Sequence, residues 1–227
     1  KRMAEVMEEG GNPSSVHALG RKAKARMENA RSIIASVINC RPQMIIFTSG
    51  GTEANNMAIL STGKSRLITS QVEHDSVRSA AARFDGKVDY LAVDHNGQID
   101  HSALIKLLEE DAENTIVSIL YANNETGVLQ DIKKISAICH EAGAILHIDA
   151  IQALSKVPID FKDMGVDLMS ISSHKTGGPQ GVGALVAHEK LPVKSFILGG
   201  GQELGRRGGT ENIAGIAGFA KAVSMIE

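Results

Sequence analysis

Lys175 is the residue around which the chemistry of this sequence collects. It closes Ser170-Ile171-Ser172-Ser173-His174-Lys175, which follows the apolar run Val166-Asp167-Leu168-Met169 and opens into Thr176-Gly177-Gly178-Pro179-Gln180-Gly181. Read as a buried strand, the run ends in hydroxyls, an imidazole, an amine and a glycine-rich turn. Moving an ammonium out of water is costly unless it is paired or deprotonated. Desolvation or nearby positive charge turns a lysine into an amine able to form a Schiff base with a carbonyl. The alternative is a lysine that snorkels from the strand end into solvent, and the stretch alone leaves both open.

Other stretches add donors. Met44-Ile45-Ile46-Phe47-Thr48-Ser49 reads as a buried strand, Gly50-Gly51 as a tight turn, and Thr52 to Ile59 as a helix with Thr52 placed to cap it. Free backbone N–H groups and a helix dipole then point at one spot, where a phosphate fits. Glu73-His74-Asp75-Ser76 follows a strand at 66–70 and begins a helix. His74 either serves that helix start or reaches a crevice at the carboxyl edge of a parallel sheet. Thr62-Gly63-Lys64-Ser65 imitates the end of a P-loop, but the required first glycine falls at Ala58 and a helix, not a strand, precedes it. His147-Ile148-Asp149 raises a metal hydrolase. Alternation puts His147 and Asp149 on one face without a third ligand, and the sequence has no HExxH or paired cysteines.

The elements that must carry these residues alternate. Helical patterns cover 2–9 and 16–39, the second with Val16, Leu19, Ala23, Met27, Ala30, Ile34, Val37 and Ile38 near helical spacing; Asn12-Pro13-Ser14-Ser15 is a turn able to cap it. Strands at 87–93, 115–122, 144–149 and 167–172 are separated by helices at 102–110 and 132–142. Gly183 to Ala187 reads as a further strand, open to antiparallel pairing, and Ala214 to Ile226 as a closing helix. Such alternation predicts a three-layer α/β/α fold with a mostly parallel sheet and helices on both faces. Ligands of such sheets bind at the carboxyl ends of strands, so Asn124, Asp149, Gln152, His174 and Lys175 are expected to meet in one pocket.

Composition is consistent with a single domain over 1–227. With 227 residues, 43% hydrophobic and 22% charged, the chain supports one large core. Its 24 basic and 26 acidic residues nearly cancel, which argues against a nucleic-acid or membrane partner. No apolar run is long enough to span a bilayer and no signal-peptide pattern opens the chain, so a cytoplasmic enzyme is expected. Cys40 and Cys139 form no CxxC pair; both fall in helical patterns and read as small hydrophobes. The start at Lys1 and the stop at Glu227 within an amphipathic run suggest part of a longer polypeptide.

One cofactor unites the scattered residues. Pyridoxal phosphate needs a lysine, an acid against its pyridine nitrogen, an anion cradle and a group on the ring face. Lys175, Asp149, Gly51-Thr52 and His74 meet those needs in that order.

The motifs Gly11-Asn12-Pro13-Ser14-Ser15-Val16-His17, Thr48 to Asn56, Glu73-His74, Asn123-Asn124-Glu125-Thr126-Gly127, His147 to Gln152, Ser172 to Lys175, Gly199 to Glu203 and Arg207 to Asn212 resemble those of cysteine desulfurases. These belong to the class V aminotransferase group of fold-type I pyridoxal-phosphate enzymes. The resemblance implies the cofactor-binding large domain of such an enzyme, with the small carboxyl-terminal domain absent from the sequence. Lys175 would form the Schiff base and move protons; His74 would stack on the ring and act in acid–base steps. Asp149 would pair with the ring nitrogen and Gln152 with the ring hydroxyl, near Asn124. Gly51, Thr52, Ser172 and His174 would hold the phosphate, joined by Thr210 from a second subunit of a homodimer. The implied reaction takes sulfur from L-cysteine, leaves alanine, and passes a persulfide to an acceptor such as an iron–sulfur scaffold protein. The catalytic cysteine and the carboxylate-binding arginine are expected beyond residue 227. Selenocysteine lyase, cysteine sulfinate desulfinase and a non-catalytic scaffold share the pattern. Thr176-Gly177-Gly178, Gln180 and Gly208 depart from the family's usual residues.

Overall fold

The computed structural model describes residues 1–226; Glu227, where the last amphipathic run stops, lies outside them. Strands β1 (Ile45–Thr48), β2 (Arg66–Ser70), β3 (Lys87–Leu91), β4 (Thr115–Leu120), β5 (Ile145–Asp149), β6 (Leu168–Ser172) and β7 (Gly183–Ala187) form one sheet. Their order is β1-β7-β6-β5-β4-β2-β3. Strands β3, β2, β4, β5 and β6 pair in parallel, and β7 runs antiparallel to both β6 and β1. Consequently β1 points the same way as β6, and the carboxyl ends of six strands share one edge.

Burial explains why these segments read as continuous apolar runs. Every residue of β1, β2, β4, β6 and β7 is buried, as both faces of a largely parallel sheet require. Helices α1 (Arg2–Glu9), α2 (Ala18–Val37), α3 (Gly51–Leu60), α4 (Asp75–Ala81), α5 (His101–Leu108), α6 (Ile132–Ala142), α7 (Phe161–Met164) and α8 (Ile213–Val223) supply the covers. Residues of α2, α5, α6, α7 and α8 pack with Ile68, Val117, Ile148, Met169 and Val186. Residues of α3 and α4 pack with the alternate neighbours Leu67, Ile116, Leu168 and Leu185. The period of two along each strand therefore divides two cores, which completes the expected three layers.

On the α3/α4 side a buried polar row interrupts the second core. Ser118 pairs in register with His147, whose Nδ1 lies 2.8 Å from Ser118 Oγ and whose Nε2 lies 2.9 Å from Ser170 Oγ. Burial lowers the His147 pKa to about 3, so the ring is neutral and ties β4, β5 and β6 together.

Several expectations change in detail. Val16 and Leu19 are 88% and 53% exposed, so they do not join the buried stripe of α2. His17 caps that helix by accepting from the Gly20 N–H, while Asn12 to Ser15 forms only the preceding turn. Gly50 is the N-cap of α3, and Thr52 sits inside the first turn rather than capping it. Cys40 follows α2 instead of lying within a helix. Strands β3 and β4 end two residues early because Val93 and Ala122 leave the sheet to bridge Ile99 and Leu129 across tight loops. The short helix α7 carries too few residues for a periodic signal.

Candidate active site

A cavity of about 540 Å³ opens at the shared carboxyl edge. Its wall begins at the N-terminus of α3. Gly51 is the first helical residue, and a Cβ there would overlap Ile151 Cδ1, so glycine lets Ile151 of the loop after β5 pack close against the helix end. Gly183 is bound by the same crowding, since its Cβ would come within 2.9 Å of Gly50 Cα. The first N–H groups of α3 have no partner within the helix and the dipole favours an anion. Gly51 and Thr52 line the cavity there, with Ser172 and His174 across from them. His174 Nδ1 lies 2.8 Å from Ser172 Oγ; burial and the neighbouring Lys175 lower the pKa of its imidazole.

Glu53 is an unexpected acid in this anion cradle. Arg207 holds it bidentately, Nε to Oε1 at 2.9 Å and Nη2 to Oε2 at 3.2 Å, and the Ser49 N–H donates to Oε2 at 2.8 Å. Burial works against its ionisation, but these donors and the guanidinium charge prevail and hold its pKa below the ordinary value. The acid is thereby turned away from its role as a free charge beside the helix end.

A second network starts at Asp149, the last residue of β5 and 6% exposed. Its Oδ1 accepts from the Ile151 N–H at 3.0 Å and its Oδ2 from Asn55 Nδ2 at 2.7 Å. Burial raises its pKa, and these two donors and His74 oppose the rise. Asn55 Nδ2 also donates to Ser76 Oγ at 2.8 Å, and Ser76 Oγ lies 2.8 Å from His74 Nδ1. Since the Ser76 N–H donates to the same Nδ1 at 3.1 Å, that nitrogen is an acceptor and the neutral ring carries its proton on Nε2. His74 is therefore both a helix cap and a cavity residue: α4 orients it, and the Ser76 N–H sets its tautomer.

Lys175 ends a short turn of 3₁₀ helix after β6 and lines the cavity with its side chain exposed. A second amine, Lys156, stands near it and donates to Gln152 O and Oε1, both at 2.8 Å. Burial, then the charge of Lys175, lowers the pKa of Lys156. Gln152 and Asn124 both border the cavity.

Thus Gly51, Thr52, His74, Asn124, Asp149, Gln152, Ser172, His174 and Lys175 line one space. Thr210 does not: it borders a separate small cleft beside Ser49, Gly181 and Arg207. His147 lies beneath the site and off its wall. Cys40 and Cys139 are also elsewhere, and burial raises both thiol pKa values to about 12. No cluster of three metal-ligating side chains occurs among the described residues. Sequence reasoning missed the Arg207–Glu53 pair, Lys156, and the Asn55–Ser76 relay. Only the relay had a local signal, in polar residues at positions of α3 and α4 that face the sheet.

The residues fit pyridoxal phosphate by their own chemistry: a backbone cradle at a close-packed glycine, a buried carboxylate with two donors, and an amine at the mouth. The sequence model of the aminotransferase class-V family matches residues 1–227. The cysteine desulfurase IscS of Dictyoglomus turgidum is 43% identical over 229 residues, covering 97% of this chain and 58% of the relative. The putative cysteine desulfurase IscS 1 of Bacillus subtilis is 40% identical over 224 residues, covering 95% of this chain and 59% of the relative. The chain thus spans under two thirds of the length of these relatives. Among solved structures, a NifS-like protein superposes with a TM-score of 0.95 at 35% identity, over 99% of this chain and 64% of that one. A structure described as SspA in complex with cysteine gives 0.92 at 35% identity, over 99% and 68% respectively. A family match over the full length, on a fold that gathers nine of the ten expected residues around one cavity, places this chain in the aminotransferase class-V family.

Proposed function

We propose that this chain is the pyridoxal-phosphate-binding part of a cysteine desulfurase. The observation that carries the reading is the convergence of Lys175, His74 and Asp149 with the α3 N-terminus on one cavity. The names of its relatives, and the cysteine-bound structure it resembles, support the substrate. Bound there, the cofactor would supply an electron sink for the substrate's Cα and Cβ. Gly51, Thr52, Ser172 and His174 would hold its phosphate, and Asp149 would face the ring nitrogen. Gln152 would offer its amide nitrogen to the ring hydroxyl, since Lys156 occupies Oε1. Asn124 would lie beside the substrate carboxylate.

Lys175 Nζ would serve as base and acid at the substrate's carbon atoms, and His74, with its proton on Nε2, would stack on the ring and act in acid–base steps. In the net reaction the Cβ–Sγ bond of L-cysteine breaks, the sulfur joins a cysteine thiol as a persulfide, and alanine leaves. The half-buried thiol of Cys40 and the buried thiol of Cys139 lie off the cavity, so the accepting cysteine is neither of them. The sulfur then passes to an acceptor such as an iron–sulfur scaffold. Thr210, exposed outside its own cavity, is suited to serve the cavity of a second copy in a homodimer.

The test is borohydride reduction of the protein loaded with pyridoxal phosphate, followed by peptide mass spectrometry. A phosphopyridoxyl group on Lys175, lost in Lys175→Ala together with the visible absorption band, is expected. An adduct mainly on Lys156, or a band that survives Lys175→Ala, refutes the assignment.

A further inference from the structure

Glu73 is a buried carboxyl that the proposed chemistry does not use. It sits between β2 and His74, 5% exposed. Its Oε1 accepts from Ser70 Oγ at 2.6 Å, and its Oε2 has no hydrogen-bond partner among the described residues. The Leu120 N–H lies near enough to oppose the rise of the Glu73 pKa, but it makes no hydrogen bond to Oε2. Asp149, the neighbouring acid, differs: each of its oxygens has a donor. Two carboxylates in one desolvated space repel each other, and the proton goes to the one with fewer donors. An orphan hydroxyl is also far less costly to bury than half of an orphan carboxylate.

Resting on the cofactor reading above, we infer that Glu73 is a positioning residue. Held as a neutral acid against Ser70, it leaves Asp149 as the charged member of the pair and so reserves the ring-nitrogen contact for an anion. Charged Glu73 would push the proton onto Asp149 and remove that anion. Burial, and then the charge of Asp149, raise the Glu73 pKa well above its ordinary value. The titratable groups at this place are Glu73 on the β2–α4 turn, His74 at the head of α4 and Asp149 on β5. The nearby parts of α3 and β4 offer Asn55 and Leu120, neither of which titrates.

The first experiment needs no cofactor. Protein carrying ¹³C at its glutamate carboxyls is titrated by NMR from pH 5 to 8. One resonance is expected to keep the protonated position throughout and to vanish in Glu73→Gln; a Glu73 resonance already ionised at pH 7 overturns the inference. Because the signal is read on the wild type, poor folding of the variant does not remove the test. The second experiment titrates pyridoxal phosphate into wild type, Glu73→Gln and Glu73→Ala while following the visible band against pH. Glu73→Gln is expected to keep wild-type affinity and pH profile within about twofold, whereas Glu73→Ala shifts both. Equal damage by both variants overturns the positioning role. A neutral Glu73 in wild type that binds no pyridoxal phosphate sinks the cofactor reading, and the positioning role with it, while the protonation state stands.

Discussion

Arg31 and Glu203 form the most deeply buried ion pair described, with side chains 7% and 0% exposed. Glu203 receives Arg31 Nη1 at 2.9 Å, Arg31 Nη2 at 2.7 Å and the Phe47 N–H at 2.9 Å, so the pair clips the segment before Thr210 to α2 and β1. Arg31→Met removes two of three donors and the countercharge, leaving a buried carboxylate with one N–H. Breaking such a pair from one side costs about 3–5 kcal/mol. The lost stacking of Arg31 on Phe47, 4.6 Å from its ring centre, adds roughly 0.5–1 kcal/mol. Glu203 and Leu204 hold φ values of 48° and 59°, each strained by roughly 1–3 kcal/mol, and relaxing one of the two returns that much. The net is about 3 kcal/mol, or about 6–12 °C in melting temperature for a chain of this size. Glu203→Gln leaves Arg31 with Ile45 O and Glu28, and is expected to cost about 1.5–3 kcal/mol. The double variant should lose about 1–2 kcal/mol less than the sum, as coupled partners do. Urea unfolding followed by far-UV circular dichroism suits a chain without tryptophan. Single losses under about 1 kcal/mol, or additivity within about 0.5 kcal/mol, would refute the claim that the pair is a coupled clip.

Two further outcomes follow from the same geometry. His147 is held neutral with its pKa lowered to about 3, so protons prefer the unfolded chain below its ordinary value. Its share of stability is complete above about pH 6.5 and falls by about 1.4 kcal/mol per unit towards pH 3; His147→Asn should be less stable at pH 7.5 but flatter in urea midpoint between pH 6.5 and 4, and parallel curves would exclude the effect. Gly51→Ala forces Ile151 towards the cavity, an overpacking of about 1–3 kcal/mol, so affinity for pyridoxal phosphate should drop by about tenfold to a hundredfold. Fluorescence or absorbance titration reads this directly, and unchanged affinity would show that Ile151 has room to turn elsewhere.

Much of the fold was legible because burial on both faces leaves a strong mark. Residues 66–70, 132–142 and 183–187 coincide with β2, α6 and β7: β7 is an uninterrupted apolar run, β2 centres on Leu67, Ile68 and Thr69, and α6 ends where Gly143 takes φ 91°. The cavity was legible through strand-end residues, since topology alone brings them to one edge. What stayed hidden depends on distance. Arg31 looks like any basic residue between apolar helix positions, and its partner lies 172 residues away. The same holds for Glu53 and Arg207, separated by 154. Val16 and Leu19 continue the periodicity of α2 past the point where this chain covers it, so period without a partner misled. Thr52 resembled a cap because hydroxyls favour cap positions, but α3 begins one residue earlier, at Gly51, which puts Gly50 at the cap.

The antiparallel strand β7 also sets the order in which the molecule can be built. During synthesis β2 starts the sheet, and β3, β4, β5 and β6 can each add to a neighbour already made. Strand β1 leaves the ribosome first, yet its sheet partner is β7, whose register joins Ile45 to Val186. The helix that would receive the phosphate hangs from β1, so it must wait unpaired for well over a hundred residues. The cradle is begun early and fastened late, and until then Ile45, Ile46 and Phe47 form an open apolar edge that a nascent chain has to protect.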